Sequence, residues 1–176
     1  ETCAAIASLM WNWRMLLATS DARYADLIER VLYNGFLSGI AWDGKNFFYE
    51  NPLRSDGGYA RQEWFDCACC PPNVMRTLAL VGDFCATTNA RGIQIHQYMH
   101  ADLKTNFGDW RIETDFPWSG NVRVICENST ECELSLRLPR WCPHMTLRVN
   151  GALVETTRHG EYAVFAKQWR AGDIVE

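Results

Sequence analysis

The 176 residues hold no apolar stretch approaching the length of about 20 that a membrane-spanning helix needs. There is no long basic run, and the net charge is −4, so nothing draws the chain electrostatically to nucleic acid. Neither an internal repeat nor a low-complexity segment is present, which excludes repeat arrays and extended linkers. Histidine is scarce: His96, His100, His144 and His159 all lie beyond residue 90. A signal-like start is lacking too. The chain opens inside a helical pattern and stops at Asp173-Ile174-Val175-Glu176 as if in mid-strand, so it reads as a piece of a longer protein. What is present is core material. Hydrophobic residues make up 48%, eight of them Trp, enough for one ordinary domain or parts of two.

The hydrophobic period divides the chain near residue 90. Ile6, Leu9, Met10, Trp13, Leu16 and Leu17 recur at helical spacing. Ser20 or Asp21 can cap a second helix carrying Tyr24, Leu27, Ile28, Val31 and Leu32, which ends near Gly35 to Gly39. The short link predicts an antiparallel helical hairpin. Asp43-Gly44, flanked by Ile40-Ala41-Trp42 and Asn46-Phe47-Phe48-Tyr49, signals a β-hairpin, and a polar loop follows from Pro52 to Arg61. Val74, Leu78, Val81 and Cys85 mark a third helix from Pro71 that ends before Asn89. After Arg91-Gly92 the period becomes two, around 93–98, 110–116, 122–126, 133–138, 146–149 and 162–166. Many short strands predict a β-sandwich or part of one. The fold class is therefore α+β by segment, residues 1–90 helical and 91–176 a β domain.

Eight cysteines are spread unevenly: Cys3, Cys67, Cys69, Cys70, Cys85, Cys126, Cys132 and Cys142. A chain of this length does not need disulfides as staples, and the crowding at 67–70 suggests a metal or a reactive thiol instead. Pro71-Pro72 next to the run predicts a helix start, since proline is tolerated in the first turn. Cys69 and Cys70 then sit where the helix dipole favours a thiolate. Buried apolar filler is the competing account of any single cysteine. Cys67-Ala68-Cys69-Cys70 contains one C-x-x-C, with neither a second such pair nor a thioredoxin-like βαβ context. Metal ligand, redox dithiol and filler all stay open on spacing alone. Glu1 and Cys3, two residues apart, are a second source of ligands. Asn128-Ser129-Thr130 matches a glycosylation sequon.

Four segments taken in order carry a resemblance. They are Glu1-Thr2-Cys3-Ala4; Tyr24 to Asn34; Asp43-Gly44-Lys45 with Phe47-Phe48-Tyr49 and Asn51-Pro52-Leu53; and Trp64-Phe65 with Cys67-Ala68-Cys69-Cys70-Pro71-Pro72-Asn73. Together they resemble the β-L-arabinofuranosidase family of zinc-thiolate glycoside hydrolases, glycoside hydrolase family 127. Leu136 to Trp141 and Arg148-Val149-Asn150-Gly151 look like its β-sandwich. The resemblance implies the last helices of an (α/α)6 barrel over 1–90 and an antiparallel β-sandwich over 91–176. It further implies zinc held by Glu1, Cys3, Cys69 and Cys70, with Cys69 as the nucleophile of a retaining mechanism and Tyr49 lining the sugar site. Cys67 matches the motif without a role and is expected to pack. The family's general acid/base glutamate and sugar-binding histidines lie upstream of Glu1, so the chain alone is expected to be inactive. The expected partner is an oligosaccharide or glycan, with no nucleic acid and no membrane. Two alternatives are a non-catalytic carbohydrate-binding or scaffold protein with a structural zinc, and a related glycosidase of different sugar specificity. Oligomeric state has no signature here, and reliance on thiolates leans towards the cytoplasm.

Overall fold

The computed structural model describes residues 1–67, 69–154, 157–159 and 162–176, with the backbone alone for 157–159. Ala68 of the cysteine run and the His159 side chain thus lie outside the described residues. The chain divides into two compact units, Glu1–Val81 and Gly82–Glu176. Among the described residues no helix is long and apolar enough to cross a membrane.

The first unit begins with α1 (Thr2–Thr19), which ends as Ser20 adopts φ 55° and donates its N–H back to Leu16 O at 2.7 Å. Asp21 starts α2 (Ala22–Val31), its carboxylate accepting from Arg23 N at 3.0 Å. Of the two expected caps, Asp21 takes that job and Ser20 closes the helix before it. A π turn (Leu32–Phe36) and a 3-10 turn (Leu37–Gly39) complete the descent. The hairpin closes tightly: a Cβ on Gly35 would lie 3.2 Å from Ala5 Cβ. Ile6, Leu9 and Leu16 are buried with Ala25, Ile28, Leu32 and Phe36. Two expected core members, Leu17 and Leu27, are exposed instead. Asn12 is buried in their stead, bonding Ser8 O at 2.7 Å, which satisfies the polar group that periodicity alone discounts.

The Asp43-Gly44 reversal forms, with Gly44 at φ 69° and Asp43 accepting from Lys45 N. Strands do not grow from it. Pairing is limited to isolated bridges, Ile40 with Phe47 and Phe47 with Gln62. Phe47 thereby joins the turn to the segment leading into the cysteine run. Next comes α3 (Cys70–Leu80), continued by a 3-10 turn (Val81–Phe84). Its buried face is Cys70, Pro71, Val74 and Thr77, while Leu78 is exposed. The helix is therefore shorter than its apolar spacing predicts, and its buried stripe is one position away from Leu78.

In the second unit the described strands form two sheets. One has five strands: β1 (Ala86–Thr88), β2 (Gly92–Ile95), β6 (Thr130–Arg137), β10 (Tyr162–Trp169) and β9 (Thr157–His159), in that spatial order. The other has six in the order β3 (Ala101–Thr105), β4 (Gly108–Thr114), β5 (Val122–Cys126), β11 (Ile174–Val175), β7 (Arg148–Val149) and β8 (Ala152–Leu153). A single buried cluster draws on both, including Ile93, Ile95, Leu134 and Leu136 from one and Trp110, Ile112 and Val124 from the other. The sheets are not wholly antiparallel, contrary to expectation. β2 and β6 run parallel, Ile93 opposite Leu134. A parallel pair needs a long crossover, and β3, β4 and β5 supply it. The pair is also close, since a Cβ on Gly92 would fall 1.9 Å from Glu133 O. β2 is buried along its whole length, so its in–out alternation marks no solvent face.

Candidate metal centre

Cys69 is the N-cap of α3 and Cys70 its first residue, with prolines in the next two positions where no N–H is required. The helix start predicted for the thiol run is thus where the chain forms it. At the other end of the sequence, Glu1 is the N-cap of α1 but makes no capping bond with its side chain. Its carboxylate is left for another partner. Thr2, fully buried, pins this helix start to the segment after the Asp43-Gly44 turn. Its N–H donates to Tyr49 O at 2.9 Å and its hydroxyl to Phe48 O at 2.8 Å.

The consequence is a convergence of four groups from segments 66 or more residues apart. The ligating atoms of Glu1, Cys3, Cys69 and Cys70 all lie within 4.8 Å of one another, an arrangement that can hold a metal ion. Cys69 Sγ is 3.5 Å from Cys3 Sγ, 3.8 Å from Cys70 Sγ and 3.9 Å from Glu1 Oε1. Cys70 is fully buried while Cys69 is exposed. Burial, followed by the hydrogen bond with Cys3, pushes the Cys70 thiol up to about 12.

Tyr49 lies beside this group, its hydroxyl 3.3 Å from Cys69 Sγ and 3.7 Å from Cys67 Sγ. The hydrogen bond with Cys69, and next that with Cys67, raises its phenol well above the ordinary tyrosine range. The side chain therefore stays a neutral O–H. Its ring packs on Phe65, with centroids 5.5 Å apart, and Phe65 in turn meets Phe47. Cys67 is exposed and touches the Tyr49 hydroxyl, so the expectation that it packs as filler does not hold. Filler describes the buried Cys85, Cys126 and Cys132 of the second unit's core, and all eight cysteines are free thiols.

Two residues of this centre carry no expectation from the sequence. Asn73 donates from Nδ2 to Cys3 Sγ at 2.9 Å and Thr2 fastens the two backbones. Their signals were position alone, Thr2 between two ligands and Asn73 one helical turn after two more. Of the histidines with described side chains, His100 and His144 are exposed, and His96 is buried in the second unit between Thr87 Oγ1 at 2.8 Å and Tyr162 Oη at 2.6 Å.

Two family models match the sequence. "Beta-L-arabinofuranosidase, GH127 catalytic domain" covers residues 1–83 and "Beta-L-arabinofuranosidase, GH127 middle domain" covers 92–176. A curated relative, the non-reducing end beta-L-arabinofuranosidase of Bifidobacterium longum subsp. longum, is 33% identical over 172 residues, covering 86% of this chain. The crystal structure of a GH127 beta-L-arabinofuranosidase from Geobacillus stearothermophilus T6 superposes with a TM-score of 0.92 at 38% identity, over 99% of this chain. A solved glycoside hydrolase gives 0.91 at 40% identity, also over 99%. The chain spans only 26% of the curated relative and 31% and 32% of those two structures. Model, sequence and structure agree in both halves, and the chain belongs to the β-L-arabinofuranosidase family GH127.

Proposed function

We propose that this chain carries the thiolate part of the active centre of a retaining glycoside hydrolase releasing β-L-arabinofuranosyl residues from plant-type glycans. The observation that carries the reading is the convergence of Glu1, Cys3, Cys69 and Cys70, with Cys69 exposed. The donor set fits zinc in kind, three sulfurs and a carboxylate oxygen. It fits in spacing too. Tetrahedral zinc with bonds of about 2.3 Å to sulfur and about 2.1 Å to oxygen separates two sulfurs by roughly 3.8 Å and a sulfur and an oxygen by roughly 3.6 Å. Three of the six separations here, those made by Cys69, are 3.5, 3.8 and 3.9 Å, and all six lie within 4.8 Å. Zinc held by these four residues would keep their thiols deprotonated at neutral pH.

In this reading the Cys69 sulfur attacks the anomeric carbon. A C–S bond forms as the glycosidic C–O bond breaks, and the departing oxygen takes a proton from an acid that the family resemblance puts upstream. Water then displaces the sulfur, so two inversions give net retention. Tyr49, neutral and beside Cys69, lines the sugar site and offers a hydroxyl to the furanose. The exposed apolar side chains of Trp11, Leu17, Met75 and Leu78 support reading residues 1–90 as the end of an (α/α)6 barrel, whose other helices would cover them. The same reading makes 91–176 a β-sandwich in a supporting role.

A four-ligand set is also what a closed structural zinc site has, which favours the second reading, a scaffold with zinc as a staple. Affinity labelling separates the two. A bromoacetamide in the L-arabinofuranose configuration should modify Cys69 ahead of the other seven cysteines in purified protein holding about one zinc per chain. Equal labelling of all exposed cysteines would favour the scaffold.

A further inference from the structure

Asn73 holds a position that the proposed reaction does not use. Its Nδ2 lies 2.9 Å from Cys3 Sγ, and its Oδ1 accepts from the Arg76 guanidinium one turn further along α3. Chemistry decides which end of the amide faces the sulfur. A guanidinium has five donors and no acceptor, so only Oδ1 can face Arg76. The NH2 group is then directed at Cys3, and the sulfur must accept. Freed from Arg76, the amide could turn its oxygen to the sulfur, an arrangement that repels a thiolate.

The backbone ties this donor to the rest of the cluster. Asn73 N–H donates to Cys69 O at 3.4 Å, and Asn73 O accepts from Thr77 Oγ1 at 2.8 Å. The residue therefore sits on the same turn that presents Cys69 and Cys70, and reaches across to the ligand from the other helix. Charge gives the contact its purpose. Three thiolates and a carboxylate leave negative charge in excess over any divalent cation, and an N–H donor to sulfur offsets part of it.

We propose that Asn73, oriented by Arg76, is a positioning residue for the thiolate cluster: it donates to the Cys3 sulfur and holds that ligand towards Cys69. The inference rests on the metal-site reading above, and the two fail in different ways. The purified protein is loaded with zinc and, separately, with cobalt(II). Affinity is measured by competition with a chromophoric chelator, and the sulfur-to-cobalt charge-transfer band is recorded. Asn73→Ala should weaken both metals by about 10–100-fold, the usual cost of losing a partner that orients a metal ligand. Asn73→Asp should weaken them further, since it puts an anion where the donor was. In both variants the charge-transfer band should move to lower energy, because the sulfur lone pair is no longer stabilised by an N–H. Arg76→Ala should fall between these and wild type, with Arg76→Lys recovering part of the loss. Affinities within about twofold of wild type in both Asn73 variants, with an unmoved band, would overturn the inference while leaving the metal site standing. A wild-type protein that takes up neither ion overturns the metal reading and this inference with it. Should the Asn73 variants fail to fold by circular dichroism, exposed Arg76 carries the test, and an unchanged affinity in Arg76→Ala overturns the proposal.

Discussion

Tyr49 stands between the two exposed thiols of the cysteine run, its hydroxyl within 3.3 Å of one and 3.7 Å of the other. A phenol raised above its ordinary range remains a donor throughout the pH range of an enzyme assay. Tyr49→Phe keeps the ring that packs on Phe65 and removes only that donor. In the active protein it should leave metal content unchanged and lower kcat/KM on an aryl β-L-arabinofuranoside by about 2–10-fold, as expected for a hydrogen bond between neutral groups. An unchanged kcat/KM would remove Tyr49 from the sugar site. Crowding of chemistry-bearing residue types marked two short segments, Glu1 to Cys3 and Cys67 to Cys70, and only the family resemblance narrowed them to Glu1, Cys3, Cys69 and Cys70. Thr2, Asn73 and Arg76 were not legible, since Thr, Asn and Arg occur on any helix surface. Only the fold shows that Asn73 reaches Cys3, 70 positions away.

Elements were legible where a single period governed them. α1, α2 and the six strand runs stand close to where the pattern puts them, because one-sided burial leaves a regular apolar trace. The trace misleads where burial is not one-sided. α3 exposes Leu78 although Leu78 continues its apolar spacing, and β2 is buried on both faces. The parallel β2–β6 pair left little local signature, because pairing partners 41 positions apart are a matter of topology. Its one residue-level mark is Gly92. A methyl there would occupy the space of Glu133 O, a backbone atom that cannot step aside without parting the strands. Gly92→Ala should therefore destabilise the second unit by about 1–3 kcal/mol, the range of overpacked sites. Chemical denaturation read by Trp fluorescence measures it, Trp110 and Trp169 being buried reporters in that unit. A midpoint equal to wild type would mean that the strands part without cost.

For the molecule as a whole, the dependence of stability on acid between about pH 6.5 and about pH 4.5 follows, among the described residues, from one buried imidazole. His96 is packed between Thr87 and Tyr162 and faces the cation of buried Arg137 in the sheet formed by β1, β2, β6, β10 and β9. Burial first, and then the Arg137 charge, lowers it from 6.5 to about 3. An unfolded chain thus binds this proton at a higher pH than the folded one does. Protons favour unfolding, so the contribution of neutral His96 is complete above pH 6.5 and is lost progressively as the pH falls towards 3. Asp173 acts in the same direction but lower down. The Arg170 N–H, with Asn150 and Lys167 after it, holds its carboxyl at about 2, so its loss begins only below 3.8. The interval from about pH 6.5 to about pH 4.5 therefore isolates His96 from the carboxylates. Across it the melting temperature of the second unit should fall in wild type. It should stay nearly level in His96→Gln, which keeps a polar side chain without the titration. Equal slopes in the two proteins would show that acid acts elsewhere, whereas a level variant would make His96 the group through which this half of the chain responds to pH.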